Sequence, residues 1–390
     1  MTDPLVAVSR AAIARGSKSF ALASRLFDPV TRDRATLLYA WCRYADDVID
    51  GQVDGFGRVE GAGTPADRLA ALEAGTRAAL NFPRGSHSGA GQHPFPRETA
   101  GLGSGTGMDA GLRQHDIGTG EGVAFAALSR VFAETNLPAR YPLDLIEGFR
   151  SDVDERRFAS FDDTLTYCYH VAGCVGVMMA IVMGVDAGDA ATLDRACDLG
   201  LAFQLDNIAR DVIEDARNGR CYLPEAWLAA AGLSSVNNCH PRERRDPSSE
   251  AHRMVAGPVA ADAKREMDSR VRGNDNNQSY FAHPHNRAAL ASVVARLVDE
   301  AERYTASSRY GTPALPWRSA WAVLAAADIY GGIGRRVRAE GIAALDRRVT
   351  TSRAEKLAAV ARALPAALGR RRWASPPSRA GLWNRPRAEP

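Results

Sequence analysis

Apolar residues recur three and four positions apart through most of the chain, which is the spacing of one buried helix face. The pattern predicts helices over 6–27, 31–50, 65–81, 121–136, 142–151, 162–183, 190–216, 287–310, 316–340 and 352–368. Alternating β-branched runs, which are typical of strands, are nearly absent. Pro29, Pro142 and Pro316 fall at predicted helix boundaries, where a residue without an N–H is tolerated. The sequence therefore predicts an all-α protein.

Two long stretches interrupt this pattern, at residues 84–119 and 236–285. Both are rich in polar and turn-forming residues, and they resemble each other, since MDAGLRQHD at Met108 is similar to MDSRVRGND at Met267. Loops of this length are uncommon inside compact domains. We interpret them as two related, disordered insertions, with ordinary long loops as the alternative. The remaining residues, about 300, predict a single domain that spans 1–390.

Composition excludes several classes of protein. The chain has 390 residues, 45% of them hydrophobic and 24% charged, and a net charge of +3, so neither wholesale disorder nor a nucleic-acid partner is expected. Its six cysteines form no CxxC pair, which favours reduced thiols and a cytoplasmic protein. The longest apolar run, 171–185, is shorter than the roughly 20 residues of a membrane span, so it predicts a buried helix. Attachment to the inner face of the membrane stays open.

Carboxylates concentrate in the predicted helix that contains LLYAWCRYADDVIDGQ, residues 37–52. Asp46 and Asp50 are four residues apart and share a helix face, with Asp47 beside them. Arg43 alone does not neutralise three adjacent carboxylates. Because hard oxygen ligands select Mg²⁺ or Mn²⁺, the cluster predicts a divalent metal site.

A second polar face occurs in LAFQLDNIARDVIEDARNGRCYLP, residues 201–224. Its members are Gln204, Asn207, Asp211 and Asp215. An apolar stripe runs beside them, so the helix can pack while this face looks into a cavity. Arg210 flanks the acids and can bind phosphate oxygens bidentately. Two such clusters in one domain predict a diphosphate substrate held by metal, and the absence of a GxGxxG fingerprint means that no nicotinamide cofactor is expected.

These segments resemble the phytoene synthase branch of the squalene/phytoene synthase family. The similar segments are GSKSFALASRLFDP (16–29), YAWCRYADDVIDGQ (39–52), TLTYCYHVAGCVG (164–176), QLDNIARDVIEDARNGRCYLP (204–224) and AADIYGGIGRRV (326–337). The resemblance implies a single-domain isoprenoid synthase fold, in which an all-α bundle surrounds a central cavity.

The resemblance also implies roles for individual residues. The implied metal ligands are Asp46, Asp47, Asp50, Asn207, Asp211 and Asp215. The implied substrate-binding residues are Ser17, Ser19, Arg43, Gln204, Asn207, Arg210 and Gly176, the last as a small residue in a tunnel for the prenyl chain. Tyr167 and Tyr330 would lie beside the carbocation, where an aromatic face stabilises positive charge. For each tyrosine, a core aromatic with a satisfied hydroxyl is the alternative.

The implied reaction condenses two geranylgeranyl diphosphates head to head, through prephytoene diphosphate, to phytoene. The implied partners are a prenyl diphosphate and a phytoene desaturase that receives the product. One alternative is a squalene or presqualene diphosphate synthase that uses farnesyl diphosphate. Another alternative is a non-catalytic relative, or an enzyme that its insertions have inactivated.

Two features leave alternatives open. Asp206 stands where the family has a small neutral residue, so it either pairs with Arg210 at i,i+4 or points away from the site. The basic tail at 370–390 contains two tryptophans. Its composition favours a solvated tail. Anchoring to a membrane surface is the more specific alternative.

Overall fold

The computed structural model describes residues 3–16, 22–51, 63–81, 120–233, 281 and 283–387, and of 12–16 only the backbone. These residues form α-helices joined by turns and short 3₁₀ segments, and no β-strand occurs among them. The predicted all-α class is confirmed. Ser17, Ser19 and nearly all of the two predicted insertions lie outside the described residues.

The helices follow the predicted runs closely. In chain order they are α1 (Pro4–Gly16), α2 (Pro29–Asp50), α3 (Pro65–Leu80), α4 (Gly120–Glu134), α5 (Arg140–Val153), α6 (Phe161–Cys168), α7 (Cys174–Val182), α8 (Ala190–Arg217), α9 (Glu225–Ala230), α10 (Pro284–Ser308), α11 (Trp317–Glu340) and α12 (Arg353–Leu368). A π-helical turn, Tyr169–Gly173, joins α6 to α7, and 3₁₀ turns lie at Ser24–Leu26, Arg309–Ala314, Gly341–Leu345 and Arg370–Trp373. The predicted run 6–27 differs, because α1 ends at Gly16.

Local sequence sets several helix ends. The Asp28 side chain accepts a hydrogen bond from the Thr31 N–H at 3.1 Å, and Pro29 supplies the first turn of α2. The same helix stops at Gly51, whose φ of 64° is the left-handed conformation that glycine adopts most readily. Capping boxes, in which side chain and backbone bond reciprocally, begin three more helices at Thr64, Ser160 and Ser352.

The run Phe161–Val182, which is α6, the π-helical turn and α7, is long and apolar enough to cross a membrane. However, 61% of its most apolar window is buried inside the protein, where it packs along α8. The packing is very close at two glycines. A Cβ on Gly200 would lie 2.3 Å from the Ala172 carbonyl oxygen, and one on Gly176 would lie 2.5 Å from the Ala196 carbonyl oxygen. Only glycine fits at these positions, so Gly176 serves helix packing as well as lining the cavity described below.

The C-terminal segment differs from the solvated tail that its composition favours. Residues 377–387, which we call the C-terminal strap, lie across α5, α8 and α10. Arg385 of the strap is only 6% exposed and pairs with Asp194 on α8. The expectation of a solvated tail is wrong for the strap because its charges find partners on distant helices.

Candidate active site

A cavity of about 600 Å³ lies between α2, α5, the α6–α7 run, α8 and α11. One end, which we call the mouth, is polar. It is lined by Arg43, Asp46, Asp50, Asp152, Gln204, Asn207, Arg220 and the tyrosines 167 and 222. The middle is lined mainly by small and apolar residues, including Ala172, Val175, Gly176, Met179, Leu199, Phe203 and Val323. The opposite end, which we call the floor, is lined by Thr192, Arg195, Gly311, Thr312 and Leu315.

Helix α2 brings Asp46 and Asp50 to the mouth, as their i,i+4 spacing predicts. Asp46 faces the open cavity yet lies deep within the protein, and this burial raises the pKa of Asp46 to about 7. The neighbouring charge of Asp50 raises the pKa further, whereas Arg43 opposes the shift. Asp50 itself lies 3.6 Å from the Arg220 guanidinium. The mouth therefore holds carboxylates with too little compensating positive charge.

Asp47 does not share this position. It is buried, it does not line the cavity, and its carboxylate lies 2.8 Å from the Arg43 guanidinium one turn earlier. Arg43 does line the cavity, as expected for a phosphate-binding residue, but here it is held by Asp47. The structure thus separates Asp47 from the metal ligands implied by the resemblance and makes it the partner of Arg43.

Helix α8 contributes the second polar face. Gln204 and Asn207 line the cavity, and the Asn207 side-chain amide donates a hydrogen bond to the side-chain oxygen Oε1 of Gln204 at 3.4 Å. Asp211 and Asp215 follow one and two turns further along the helix, beyond Asn207, and do not line the cavity. Burial raises the pKa of Asp215 to about 7, and the charge of Asp211 adds to the shift.

Asp211 is engaged by two arginines. The Arg210 guanidinium donates to it at 2.8 Å, and Arg348, from the segment after Leu345, lies 3.1 Å from the same carboxylate. Arg210 thus forms its ion pair with Asp211 rather than with Asp206, although its charge still lowers the pKa of Asp206 against the effect of burial. Asp206 lies against Gly334 of α11 and does not line the cavity, and burial raises its pKa to about 8.

The donor set at the mouth fits a hard divalent cation by its chemistry. The charge of Asp152 raises the pKa of both Asp46 and Asp215, so the carboxylates of α2 and α8 lie around the same region. Within the described residues, no three carboxylate, imidazole or thiol groups converge closely enough to hold a metal with the side chains as they stand. Arginines pair with Asp50 and Asp211 instead, so cation binding by these two acids requires their ion pairs to rearrange.

The two predicted tyrosines both line the cavity. Tyr167 stacks on Tyr222 with ring centroids 4.7 Å apart, and Tyr330 stacks on Phe203 at 4.4 Å. Burial raises the pKa of each hydroxyl, so both remain neutral phenols. Their aromatic rings are therefore available to a cation in the cavity, while their positions are fixed by stacking.

Sequence reasoning missed a polar network at the mouth. Asp152, near the end of α5, accepts hydrogen bonds from the hydroxyls of Tyr222 at 2.8 Å and Tyr167 at 3.1 Å. Arg220 compensates part of the Asp152 charge, although burial still raises the pKa of this carboxyl. Its tyrosine partners lie 15 and 70 residues away in sequence, so no local pattern indicates the role of Asp152.

Comparisons with known proteins agree with this geometry. The family model for squalene/phytoene synthase matches residues 13–270 and 272–355. The chain is 41% identical to a 15-cis-phytoene synthase of Pantoea ananas, over 96% of each protein. It is also 41% identical to a 15-cis-phytoene synthase of Paracoccus sp. strain N81106, over 99% of each.

The fold is shared with solved structures. A crystal structure of a dehydrosqualene synthase in complex with ligand aligns with a TM-score of 0.62 at 22% identity, over 94% of this chain and 97% of that one. The predicted isoprenoid synthase fold is thereby confirmed. This chain belongs to the squalene/phytoene synthase family.

Proposed function

We propose that this chain is a prenyltransferase that joins two geranylgeranyl diphosphates head to head to form 15-cis-phytoene. The observation that carries the proposal is one cavity with a charged mouth and an apolar middle, since the substrate has a diphosphate at one end and a hydrocarbon chain at the other. The relatives at 41% identity, which are named 15-cis-phytoene synthases, support geranylgeranyl rather than farnesyl diphosphate.

The cavity suits a reaction through carbocations. Each diphosphate leaves with the electron pair of its C–O bond, and a proton is lost in each half-reaction. The first half forms the cyclopropane of prephytoene diphosphate, and the second rearranges it to phytoene. The apolar wall of α7 and α8 excludes water, which would otherwise capture the cation. Tyr167 and Tyr330 present aromatic faces that stabilise positive charge.

We further propose Mg²⁺, or Mn²⁺, as the cofactor. The residues that would hold it are Asp46, Asp50, Asn207, Asp211 and Asp215. The cation supplies Lewis-acid stabilisation of the departing diphosphate. Arg43 lines the mouth and would bind diphosphate oxygens there, and Arg210 would do so once its partner Asp211 turns to the metal.

The direct experiment incubates the protein with geranylgeranyl diphosphate and Mg²⁺ and analyses the hydrocarbon product by chromatography and mass spectrometry. We expect phytoene, loss of turnover in EDTA and recovery with Mg²⁺ or Mn²⁺. Squalene or dehydrosqualene formed preferentially from farnesyl diphosphate would contradict the substrate assignment. Turnover that is unaffected by EDTA would contradict the metal.

Substitutions test the carboxylates one at a time. Asp50→Asn and Asp211→Asn should each lower kcat/KM by about 10³-fold, since each removes a charge that acts on the developing diphosphate through the metal. The matched control is Asp299→Asn, an exposed aspartate on α10 that pairs only at the surface with Arg338. An active Asp50→Asn variant with native helical content would remove this acid from the proposed ligands.

The nature of the product also bears on location. Phytoene is a hydrocarbon that dissolves in lipid rather than water, so we propose a cytoplasmic protein that works at the inner face of the membrane and passes its product to a phytoene desaturase. Trp317, 40% exposed, and Leu368, 62% exposed, are apolar surface residues that favour such contact. Sedimentation with anionic lipid vesicles should carry the protein down, and recovery entirely in the supernatant would contradict the location.

A further inference from the structure

Two acids on α8, one turn apart, are buried at the floor end of the helix. Asp198 is fully buried and Asp194 is 5% exposed. Buried carboxylates are costly unless they are paired and hydrogen-bonded. Neither acid belongs to the mouth, because Asp198 lies nine residues, or about 14 Å along the helix, before Asn207. Their burial therefore needs a separate explanation.

The C-terminal strap supplies their partners. Arg379 binds Asp198 with both arms of its guanidinium, at 3.0 and 2.6 Å. Arg385 donates to Asp194 at 2.7 Å and to the Tyr141 hydroxyl at 2.9 Å. Bidentate, charge-assisted pairs between planar groups fix geometry as well as contribute energy. The strap is thus locked onto α8 and α5 rather than resting on the surface.

The same network reaches the cavity through Arg195. This residue lies between the two acids in sequence, lines the floor and is only 6% exposed. Its guanidinium donates to the carbonyl oxygen of Pro377, in the strap, at 2.6 Å, and to the hydroxyl of Ser307. Ser307 in turn donates to Asp198. Both hydrogen-bond acceptors of the Arg195 head group are therefore tied to the strap or to an acid that holds the strap, and the guanidinium also lies over the Tyr310 ring, 5.6 Å from its centroid.

Arg195 is the charged residue among those named at the floor, at the far end of the mainly apolar middle of the cavity. Asn207 lies twelve residues after it on α8, so the prenyl chain has about 18 Å of helix between the polar mouth and this side chain. A longer hydrocarbon would have to displace the Arg195 side chain, whose guanidinium is held by fixed partners, and a polar group left unpaired in an apolar site is costly.

We propose that Arg195 is a length-specificity residue and that Arg379 and Arg385 of the C-terminal strap are its positioning residues. Together they set the longest prenyl chain that the cavity accepts. This inference rests on the proposed function, since it assumes a prenyl diphosphate with its head at the mouth. It adds a determinant of chain length at the end of the chain, far in sequence from the acidic motifs.

Binding of unreactive analogues tests the proposal without relying on turnover. Prenyl thiodiphosphates with C15, C20 and C25 chains are titrated calorimetrically with Mg²⁺ into the full chain. We expect the wild-type protein to bind C25 at least about tenfold more weakly than C20, because even one methylene of misfit is worth that much in a fitted pocket. Arg195→Leu and Arg379→Ala should each remove most of this discrimination. Equal weakening for all three lengths, or an unchanged C25 to C20 ratio, would overturn the proposal.

Arg387→Ala is the matched control. Arg387 binds the same Asp194 at 2.8 Å, but its side chain is 61% exposed and Arg385 remains in place. The ratio of C25 to C20 binding should not change in this variant. A change as large as that in Arg379→Ala would mean that any disturbance of the strap affects the ratio, which contradicts a specific role for the Arg195 network.

A measurement on the wild-type protein guards against variants that fail to fold. Hydrogen exchange of residues 377–387 is followed with the C15 and C20 analogues bound. The C20 chain reaches the floor, so it should slow exchange in the strap, whereas the C15 chain should not. Identical exchange with both would refute the proposal. Failure of the wild-type protein to bind any analogue would overturn the proposed function as well, whereas binding without formation of phytoene would overturn the function alone.

Discussion

Replacing Gly200 by alanine tests how closely the two central helices must approach. Gly200 lies on α8, facing the α6–α7 run. A Cβ at this position would lie 2.3 Å from the Ala172 carbonyl oxygen and 2.7 Å from both the Ala172 carbonyl carbon and the Gly173 Cα. All three atoms belong to the backbone, so no side-chain rotation relieves the contact. The helices would have to separate.

Two opposing effects decide whether Gly200→Ala raises or lowers the free energy of unfolding. In a helix interior, alanine is favoured over glycine by about 1 kcal/mol. Overpacking a close-packed contact costs about 1–3 kcal/mol, and a clash with rigid backbone belongs at the upper end. We therefore expect Gly200→Ala to destabilise the protein by about 1–2 kcal/mol, which is the reverse of the usual effect of this substitution. Activity should fall too, because α7 and α8 form the cavity wall.

The control is Gly332→Ala on α11. A Cβ there meets only the flexible end of Arg335, at 3.8 Å. The higher helix propensity of alanine is then the main effect, and it should stabilise the protein by up to about 1 kcal/mol. Urea unfolding and thermal melting of both variants give the comparison. If Gly200→Ala melts at or above the wild-type temperature, as Gly332→Ala should, the close approach of the helices is not a constraint and the reasoning fails.

Three further predictions use other parts of the molecule. The folded-state pKa of Asp206, about 8, exceeds its ordinary value of 3.8, so the folded protein holds a proton that the unfolded chain releases, and stability falls as pH rises between these values. In metal-free buffer, the melting temperature of Asp206→Asn relative to that of the wild type should therefore rise from pH 5 to pH 8. A difference in melting temperature that does not change with pH would contradict the buried position. Tyr222→Phe removes one of the hydrogen bonds to Asp152 and should cost about 1.5–3 kcal/mol in urea unfolding, and a cost below about 0.5 kcal/mol would mean that the network does not support the mouth. Replacing 84–119 with a short Gly/Ser link should preserve helical content by circular dichroism, because this stretch has few large apolar side chains and no helical periodicity. Loss of the helical signal would show that it is part of the fold.

The parts of the fold predicted from sequence are those that local chemistry determines. The helical runs carry apolar residues at three- and four-residue spacing, and several ends carry caps such as Asp28 before α2. Asp46 and Asp50 reach the mouth together because a helix places i and i+4 on one face. The polar side chains of Gln204 and Asn207 share the cavity for the same reason.

The parts that sequence reasoning missed depend on contacts between distant segments. Arg348 reaches Asp211 across 137 positions, and Arg385 reaches Asp194 across 191. An arginine in a segment rich in proline and tryptophan has the composition of a solvated tail until its buried partner is known. The position of Asp47 was missed for a different, local reason: i,i+4 spacing to Arg43 competes with i,i+3 spacing to Asp50, and periodicity alone does not rank the two.

Both ends of the cavity are built on one helix, and this has a consequence for substrate length. Helix α8 carries Asn207 at the mouth and Arg195 at the floor, so the separation of the ends is set by residue count at about 1.5 Å per residue. The close contact at Gly200 holds the middle of this helix against the cavity wall and prevents it from sliding. The strap then fixes the floor end through buried ion pairs, and breaking such a pair is costly because it leaves a buried charge without its partner. In this arrangement the distance from the mouth to Arg195 along α8 limits the length of the bound prenyl chain. Selectivity for chain length therefore follows from the position of Arg195 on this helix.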